Sequence, residues 1–140
     1  MPSRSPLFVD TAYVLALVSR QDQFHPMAVA LSLRFEGSPL VTTNAVLFEI
    51  GNSLSRSHRA EAAAIIRLFR SSENVTVLST DARRFKDALA LYASHSDKTW
   101  GLVDCLSFVV MREEDLNDAL TTDAHFEQAG FHVLMRESAL

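Results

Sequence analysis

The feature that most constrains this chain is an alternation of short apolar or β-branched runs with longer stretches of helical periodicity. The runs are Leu7-Phe8-Val9, Leu40-Val41-Thr42, Asn74–Leu78, Asp118-Ala119-Leu120-Thr121 and Phe131–Leu134, the last read as an edge strand. Strands that alternate with helices imply a parallel sheet covered on both faces. The punctuation agrees. His25-Pro26 opens a helix, because proline is favoured at a first helical position, and Gly37-Ser38-Pro39 breaks it. Thr43 or Asn44 caps a helix reaching to about Arg56, and Ser79-Thr80-Asp81 caps another. A helix from His58 to about Arg70 is Ala-rich, Ser94–Gly101 is loop-like, and Leu102–Met111 is a strongly apolar helix. Asp123 caps a short helix that Gly130 ends. No repeat, linker or low-complexity tract divides the chain, so one α/β domain over residues 1–140 is expected.

A hydrophobic fraction of 48% is enough for a real core in a chain of this length. The single cysteine, Cys105, cannot form an internal disulfide and is expected to be a small buried hydrophobe, which makes a reducing cytoplasm the default location. Arg4 and the apolar stretch Ala12–Val18 have the outline of a signal peptide, but Asp10 interrupts it and the stretch is too short to span a bilayer. The net charge of −4 argues against a general nucleic-acid binder. Its distribution says more. Seven basic residues (Arg56, Arg59, Arg67, Arg70, Arg83, Arg84, Lys86) face only Glu61, Glu73 and Asp81 in the same span. Arginine suits bidentate phosphate contacts, although each of these could equally be a solvated helix face.

Four acids stand where chemistry would be placed. Ligands of open parallel sheets bind beyond the carboxyl ends of the strands, and Asp10 and Asp123 follow the first and fourth runs. Helix capping is the ordinary alternative for each. Glu49 lies mid-helix among apolar neighbours, so it either faces a site or shares an exposed face with Asn52, Ser53 and Arg56. Asp104 opens the most apolar helix, as a charge complementing the helix dipole or as a residue facing an internal site. Asp97, in the preceding loop, is a supporting candidate set against a plain solvated acid. If the four converge, two carboxylates about 4 Å apart repel by roughly 4 kcal/mol at an effective dielectric near 20. Either their pKa values rise or a cation holds them together. Carboxylate ligation suits Mg²⁺ or Mn²⁺, whereas Zn²⁺ calls for His or Cys and no histidine pair of that kind is recognisable.

In order and context these acids resemble the PIN domain, specifically the VapC-like toxin ribonucleases of toxin–antitoxin pairs. The matching blocks are Phe8-Val9-Asp10-Thr11, Thr42-Thr43-Asn44 through Glu49, Asp97 through Phe108, and Leu120-Thr121-Thr122-Asp123 through His125-Phe126. The resemblance covers essentially the whole chain. It implies a three-layer α/β/α fold with about five parallel strands in the order 3-2-1-4-5. It also implies hydrolysis of RNA phosphodiesters at Mg²⁺ or Mn²⁺ held by Asp10, Glu49, Asp104 and Asp123. Thr11 or Thr122 matches the supporting hydroxyl, and Arg56 and Arg59 become candidate contacts to the RNA backbone. A homodimer and a cognate antitoxin that covers the active-site groove are implied partners. The helix faces around Ala12–Val18 and Val46–Leu54 could serve such partners or be ordinary core.

Other readings compete. Aspartyl-phosphate phosphatases place a second Asp two residues after the first, where this chain has Ala12. A receiver domain needs paired acids before its phosphorylated Asp, and these are missing. Within the resembled family, RNA processing or quality control is an alternative to a toxin, as is a scaffold that binds RNA or protein without cutting.

Overall fold

The structure, a computed structural model, describes residues 5–136; Arg4 and the outer ends of the expected 1–140 domain lie outside them. In chain order the elements are β1 (Leu7–Val9), α1 (Thr11–Val18), α2 (His25–Arg34), β2 (Leu40–Thr43), α3 (Asn44–Ser53) and α4 (Arg59–Ser71). There follow β3 (Val75–Leu78), α5 (Ala82–Ser94), α6 (Leu102–Glu113), β4 (Asp118–Leu120), α7 (His125–Gln128) and β5 (His132–Val133). The strands form one sheet in the order β3-β2-β1-β4-β5, and every pairing is parallel. This is the expected α/β arrangement with β5 at an edge. The helices fall into two contacting groups, α1–α4 and α5–α7. Right-handed crossovers put those groups on opposite faces of the sheet, giving three layers.

Local chemistry explains the boundaries. Thr43 rather than Asn44 caps α3, its hydroxyl accepting the Val46 N–H at 3.2 Å. Asp81 caps α5 by accepting the Arg84 N–H at 2.8 Å. Gly37 and Gly130 have φ of 79° and 97°, a left-handed region that a side chain disfavours, and each ends a helix just before a strand. The third helix stops at Ser53, short of Arg56, and the next residue, Leu54, turns inward and is buried. β5 is shorter than Phe131–Leu134: the Phe131 N–H bonds the Phe126 carbonyl within α7 instead of a strand, while Leu134, just past β5, still bonds the Ala119 carbonyl of β4.

The core runs through the sheet centre. Phe8, Val9, Ala119 and Leu120 are buried on the middle strands, with Val14, Ile50, Phe108 and Phe126 packed on them from the helices. Each such large apolar side chain contributes roughly 1.5–3 kcal/mol by leaving water. Phe108 is an aromatic hub. Its ring meets Trp100 at 5.1 Å, Phe126 at 5.0 Å and Phe131 at 5.8 Å, joining α6 to α7 and to the loop ahead of β5. Cys105 is buried, as expected of a free thiol in an apolar helix. No helix among the described residues is long and apolar enough to cross a membrane.

Candidate metal centre

The chain winds from β1 outward to β3, then returns across the sheet to β4. The switch in strand order therefore falls between β1 and β4, which is where such sheets bind ligands. Asp10 leaves the end of β1 there and is only 5% exposed. It stands at the N-cap position of α1 but makes no side-chain capping bond, so capping does not account for it. Instead the Thr121 hydroxyl donates to its Oδ2 at 2.7 Å. Burial pushes the Asp10 carboxyl up to about 7, and the charges of Asp104 and Glu49 push the same way. The Thr121 hydroxyl and the Thr11 N–H pull against them.

Glu49 is brought to the same end of the sheet by the second turn of α3. The Thr11 hydroxyl donates to its Oε1 at 2.6 Å. Asn52, Ser53 and Arg56 are exposed while Glu49 is half-buried, so the shared-exposed-face reading fails. Asp104 is in the first turn of α6 and accepts the Gly101 N–H on Oδ2 at 2.9 Å. Its pKa is raised, first by burial and then by the Asp123 charge, against the lowering effects of the Gly101 N–H and of His125. Asp123 accepts the His125 N–H on Oδ1 at 2.8 Å, and its own N–H donates to Thr121 Oγ1 at 3.0 Å. Asp104 thus serves the start of α6 through the Gly101 N–H, whereas the N-cap position of α7 is Ala124 rather than Asp123, which makes a local turn bond just ahead of it. The two carboxylates also face one another. Thr121 ties the Asp10 carboxylate to the Asp123 backbone.

The supporting residues fall out unevenly. Thr11 is in place. Thr122 is half-buried, and the hydroxyl that reaches Asp10 belongs to its neighbour Thr121, which is fully buried. Side chains at successive extended positions point to opposite faces, so the match to Thr122 is displaced by one residue. Asp97 is exposed and pairs with the Lys98 Nζ at 3.5 Å, so the structure does not bring it to the other acids. His125 was missed as a site residue. Its Nδ1 lies 3.3 Å from both Asp104 Oδ2 and Asp123 Oδ1, and its Nε2 lies 3.0 Å from Thr99 Oγ1. The available signal was its position two residues after Asp123 at the start of a helix. The Trp100 indole N–H donates to Gln128 Oε1 at 2.9 Å, holding α7 beside the loop that carries Thr99.

Asp104, Asp123 and His125 offer ligand atoms that all lie within 4.8 Å of one another. Asp10 and Glu49 lie outside that tight group, though the charges of Asp104 and Glu49 both raise Asp10. Oxygen-rich donors at this density, with two carboxyls raised by burial and mutual repulsion, fit a divalent cation.

The arginine band divides. Arg83 and Arg84 bind Glu113 at 2.8 and 3.1 Å, and Arg84 also donates to the Ser79 carbonyl, so these two fasten α5 to α6. Arg56 and Arg59 are exposed, and Arg59 Nε donates to the Ser55 carbonyl at 3.2 Å. The helix faces suggested for partners are largely core: Tyr13, Val14 and Ala16 on α1, and Val46, Leu47 and Ile50 on α3. Phe48 is the exception, 71% exposed. It borders a groove of about 420 Å³ with Leu47, Ile66, Val77, Asn44 and Arg70.

Comparison with known proteins adds to this geometry. The PIN domain family model matches residues 7–132. The 23S rRNA-specific endonuclease VapC20 of Mycobacterium tuberculosis is 36% identical over 129 residues, covering 89% of this chain and 95% of that protein. The crystal structure of M. tuberculosis VapC20, described as a Sarcin-Ricin loop cleaving toxin, superposes with a TM-score of 0.82 at 31% identity, over 91% of this chain and 96% of that one. VapBC2 from Rickettsia felis, solved bound to a DNA fragment from its promoter, superposes with a TM-score of 0.63 over 92% of this chain and 96% of that one. At 12% identity, the latter likeness is one of fold.

Proposed function

The chain belongs to the PIN-domain family, and from that premise we propose that it is a divalent-metal-dependent endoribonuclease of the VapC kind. The observation that carries the reading is the buried Asp10 carboxyl, raised to about 7 by its surroundings and by the charges of Asp104 and Glu49. Such a group is held at the cost of stability unless a cation neutralises it.

Asp10, Glu49, Asp104 and Asp123 would hold that cation, Mg²⁺ or Mn²⁺ by the predominance of oxygen donors. When bound, the cation supplies charge neutralisation at the scissile phosphate and lowers the pKa of an attacking water. The chain's own residues do the rest. Thr121 fixes the Asp10 carboxylate against the Asp123 turn, and Thr11 fixes Glu49. A carboxylate of the four accepts the proton of the attacking water.

The proposed substrate is the ribosomal RNA of the large subunit at its sarcin–ricin loop, on the likeness to VapC20. The toxin role is favoured over RNA processing by the same likeness, and the carboxyls of Asp10 and Asp104, each raised by burial and by the charge of another of the four acids, favour cleavage over a scaffold. A cytoplasmic location, a cognate antitoxin and a homodimer complete the proposal, with Phe48 and its groove as the exposed apolar surface suited to a protein partner. Incubating purified protein with ribosomes and Mn²⁺ or Mg²⁺, then mapping RNA ends, tests the substrate. One new end within the loop is expected; intact large-subunit RNA would refute that assignment.

A further inference from the structure

We propose that His125 is a nitrogen ligand of the cation held by Asp104 and Asp123, and that it biases this site toward Mn²⁺ over Mg²⁺. The inference rests on the metal-dependent nuclease reading and adds to the four-carboxylate set.

The geometry of the ring carries it. Nδ1 is 3.3 Å from Asp104 Oδ2 and 3.3 Å from Asp123 Oδ1. A charge-assisted hydrogen bond would bring one of those oxygens to about 2.7–2.9 Å. Equal, longer separations instead approach the edge between neighbouring ligand atoms of an octahedral ion, about 3 Å for bonds of about 2.1 Å, and the three ligand atoms all lie within 4.8 Å of one another. The other ring nitrogen is occupied: Nε2 lies 3.0 Å from Thr99 Oγ1. With that hydroxyl accepting an Nε2–H, the Nδ1 lone pair is directed at the two carboxylates. Asp104 Oδ2 and Asp123 Oδ1 also accept the Gly101 and His125 backbone N–H groups, and in this tautomer the ring donates to neither, so a cation would satisfy the lone pairs that still face one another. A metal-bound histidine characteristically donates its second ring nitrogen to an oxygen in this way.

The ring is also held in place before any ion arrives. The His125 N–H is bonded to Asp123 Oδ1, and the next residue, Phe126, is fully buried against Phe108. The side chain remains 27% exposed, so an ion can reach it from solvent. Mn²⁺ is the less demanding of the two candidate ions and accepts an imidazole nitrogen among oxygen ligands, whereas Mg²⁺ favours oxygen and keeps its waters. A nitrogen ligand therefore adds affinity for Mn²⁺ with little gain for Mg²⁺.

The test uses the whole chain, stripped with chelator and reloaded with Mn²⁺ alone. Pulsed electron paramagnetic resonance of the Mn²⁺-loaded protein should show coupling to a ¹⁴N nucleus, lost in His125→Gln. Calorimetric titration should show Mn²⁺ binding weakened about tenfold or more in His125→Gln, with Mg²⁺ changed by less than about threefold. Thr99→Val, which releases the ring without removing it, should weaken Mn²⁺ in the same direction. Matching far-UV spectra and melting points of the metal-free variants would separate ligation from misfolding. Mn²⁺ bound to wild type without nitrogen coupling, or equal losses for both metals, would overturn this inference and leave the nuclease reading standing. Failure of wild type to bind either metal would overturn both.

Discussion

The Thr121 hydroxyl donates to Asp10 Oδ2 across 2.7 Å, joining the ends of two adjacent parallel strands from positions 111 residues apart in the chain. Thr121 Oγ1 in turn accepts the Asp123 N–H, so one small side chain sets the relation between two of the four acids. Thr121→Val keeps the shape and removes both bonds. Leaving buried polar groups without a partner costs roughly 1–3 kcal/mol of stability. Because the hydroxyl holds the Asp10 pKa down, its removal should raise that pKa further and shift the acidic limb of the rate profile to higher pH. Thermal melts and a pH–rate series would show both changes, with Thr121→Ser restoring most of each. A profile unmoved in Thr121→Val would remove Thr121 from the site's machinery.

Asp10 makes the metal-free protein's stability fall with pH. Its carboxyl titrates at about 7 in the fold against 3.8 when unperturbed. The folded chain therefore holds this proton more tightly than the unfolded chain. The contribution is fully present below about pH 4 and is lost as pH rises through about 7. Asp10→Asn keeps a neutral, hydrogen-bonding side chain and should abolish the loss. In chelator at about pH 8 the variant should be the more stable by a difference on the order of 2–4 kcal/mol, shrinking toward zero near pH 4. Urea unfolding at several pH values measures it. Added Mn²⁺ should reverse the ranking, since only wild type offers a full carboxylate to the ion.

The alternation of short runs and helices was enough to predict the parallel sheet, and Pro26, Gly37 and Gly130 mark their boundaries for clear backbone reasons. Asp10, Glu49, Asp104 and Asp123 could be singled out because each breaks an apolar context or ends a strand. What could not be read was pairing. A choice between Thr121 and Thr122 depends on which way one residue points at a strand end, and a shift of one reverses it. The fastening of Arg83 and Arg84 to Glu113 spans about thirty positions with no local pattern to reveal it. His125 has ordinary surroundings in sequence and acquires its meaning only when α7 is docked beside α6. Asp97 shows the opposite failure: a plausible neighbour in sequence that the loop turns toward solvent.

Thr11 positions Glu49 through a bond of 2.6 Å. Thr11→Val should leave the fold intact and lower cleavage by about ten- to a hundredfold, the range seen when a partner of a metal ligand is removed. Thr11→Ser should recover most of the rate. Single-turnover cleavage assays on the three proteins decide it, and wild-type rates in Thr11→Val would show that Glu49 needs no such support.

Arg56 and Arg59, both exposed, are the arginines of the basic band proposed to meet the RNA backbone. Replacing both with Gln should reduce the slope of log affinity against log salt by about 0.7 for each phosphate of single-stranded RNA that is no longer neutralised. Filter binding across a salt series, with the arginine replacements made in an Asp104→Asn background that the account expects not to cleave, reads that slope. An unchanged slope would place the RNA elsewhere.

The central claim is that the acids around Asp104 form a cation-dependent ribonuclease site. The most direct measurement compares wild type and Asp104→Asn on ribosomal RNA, each with Mn²⁺ or Mg²⁺ and again with excess EDTA. The account predicts cleavage by wild type with metal, cleavage reduced to background by EDTA, and background cleavage by Asp104→Asn under every condition despite a folded chain. Cleavage that survives EDTA, or that Asp104→Asn carries out at the wild-type rate, would contradict it.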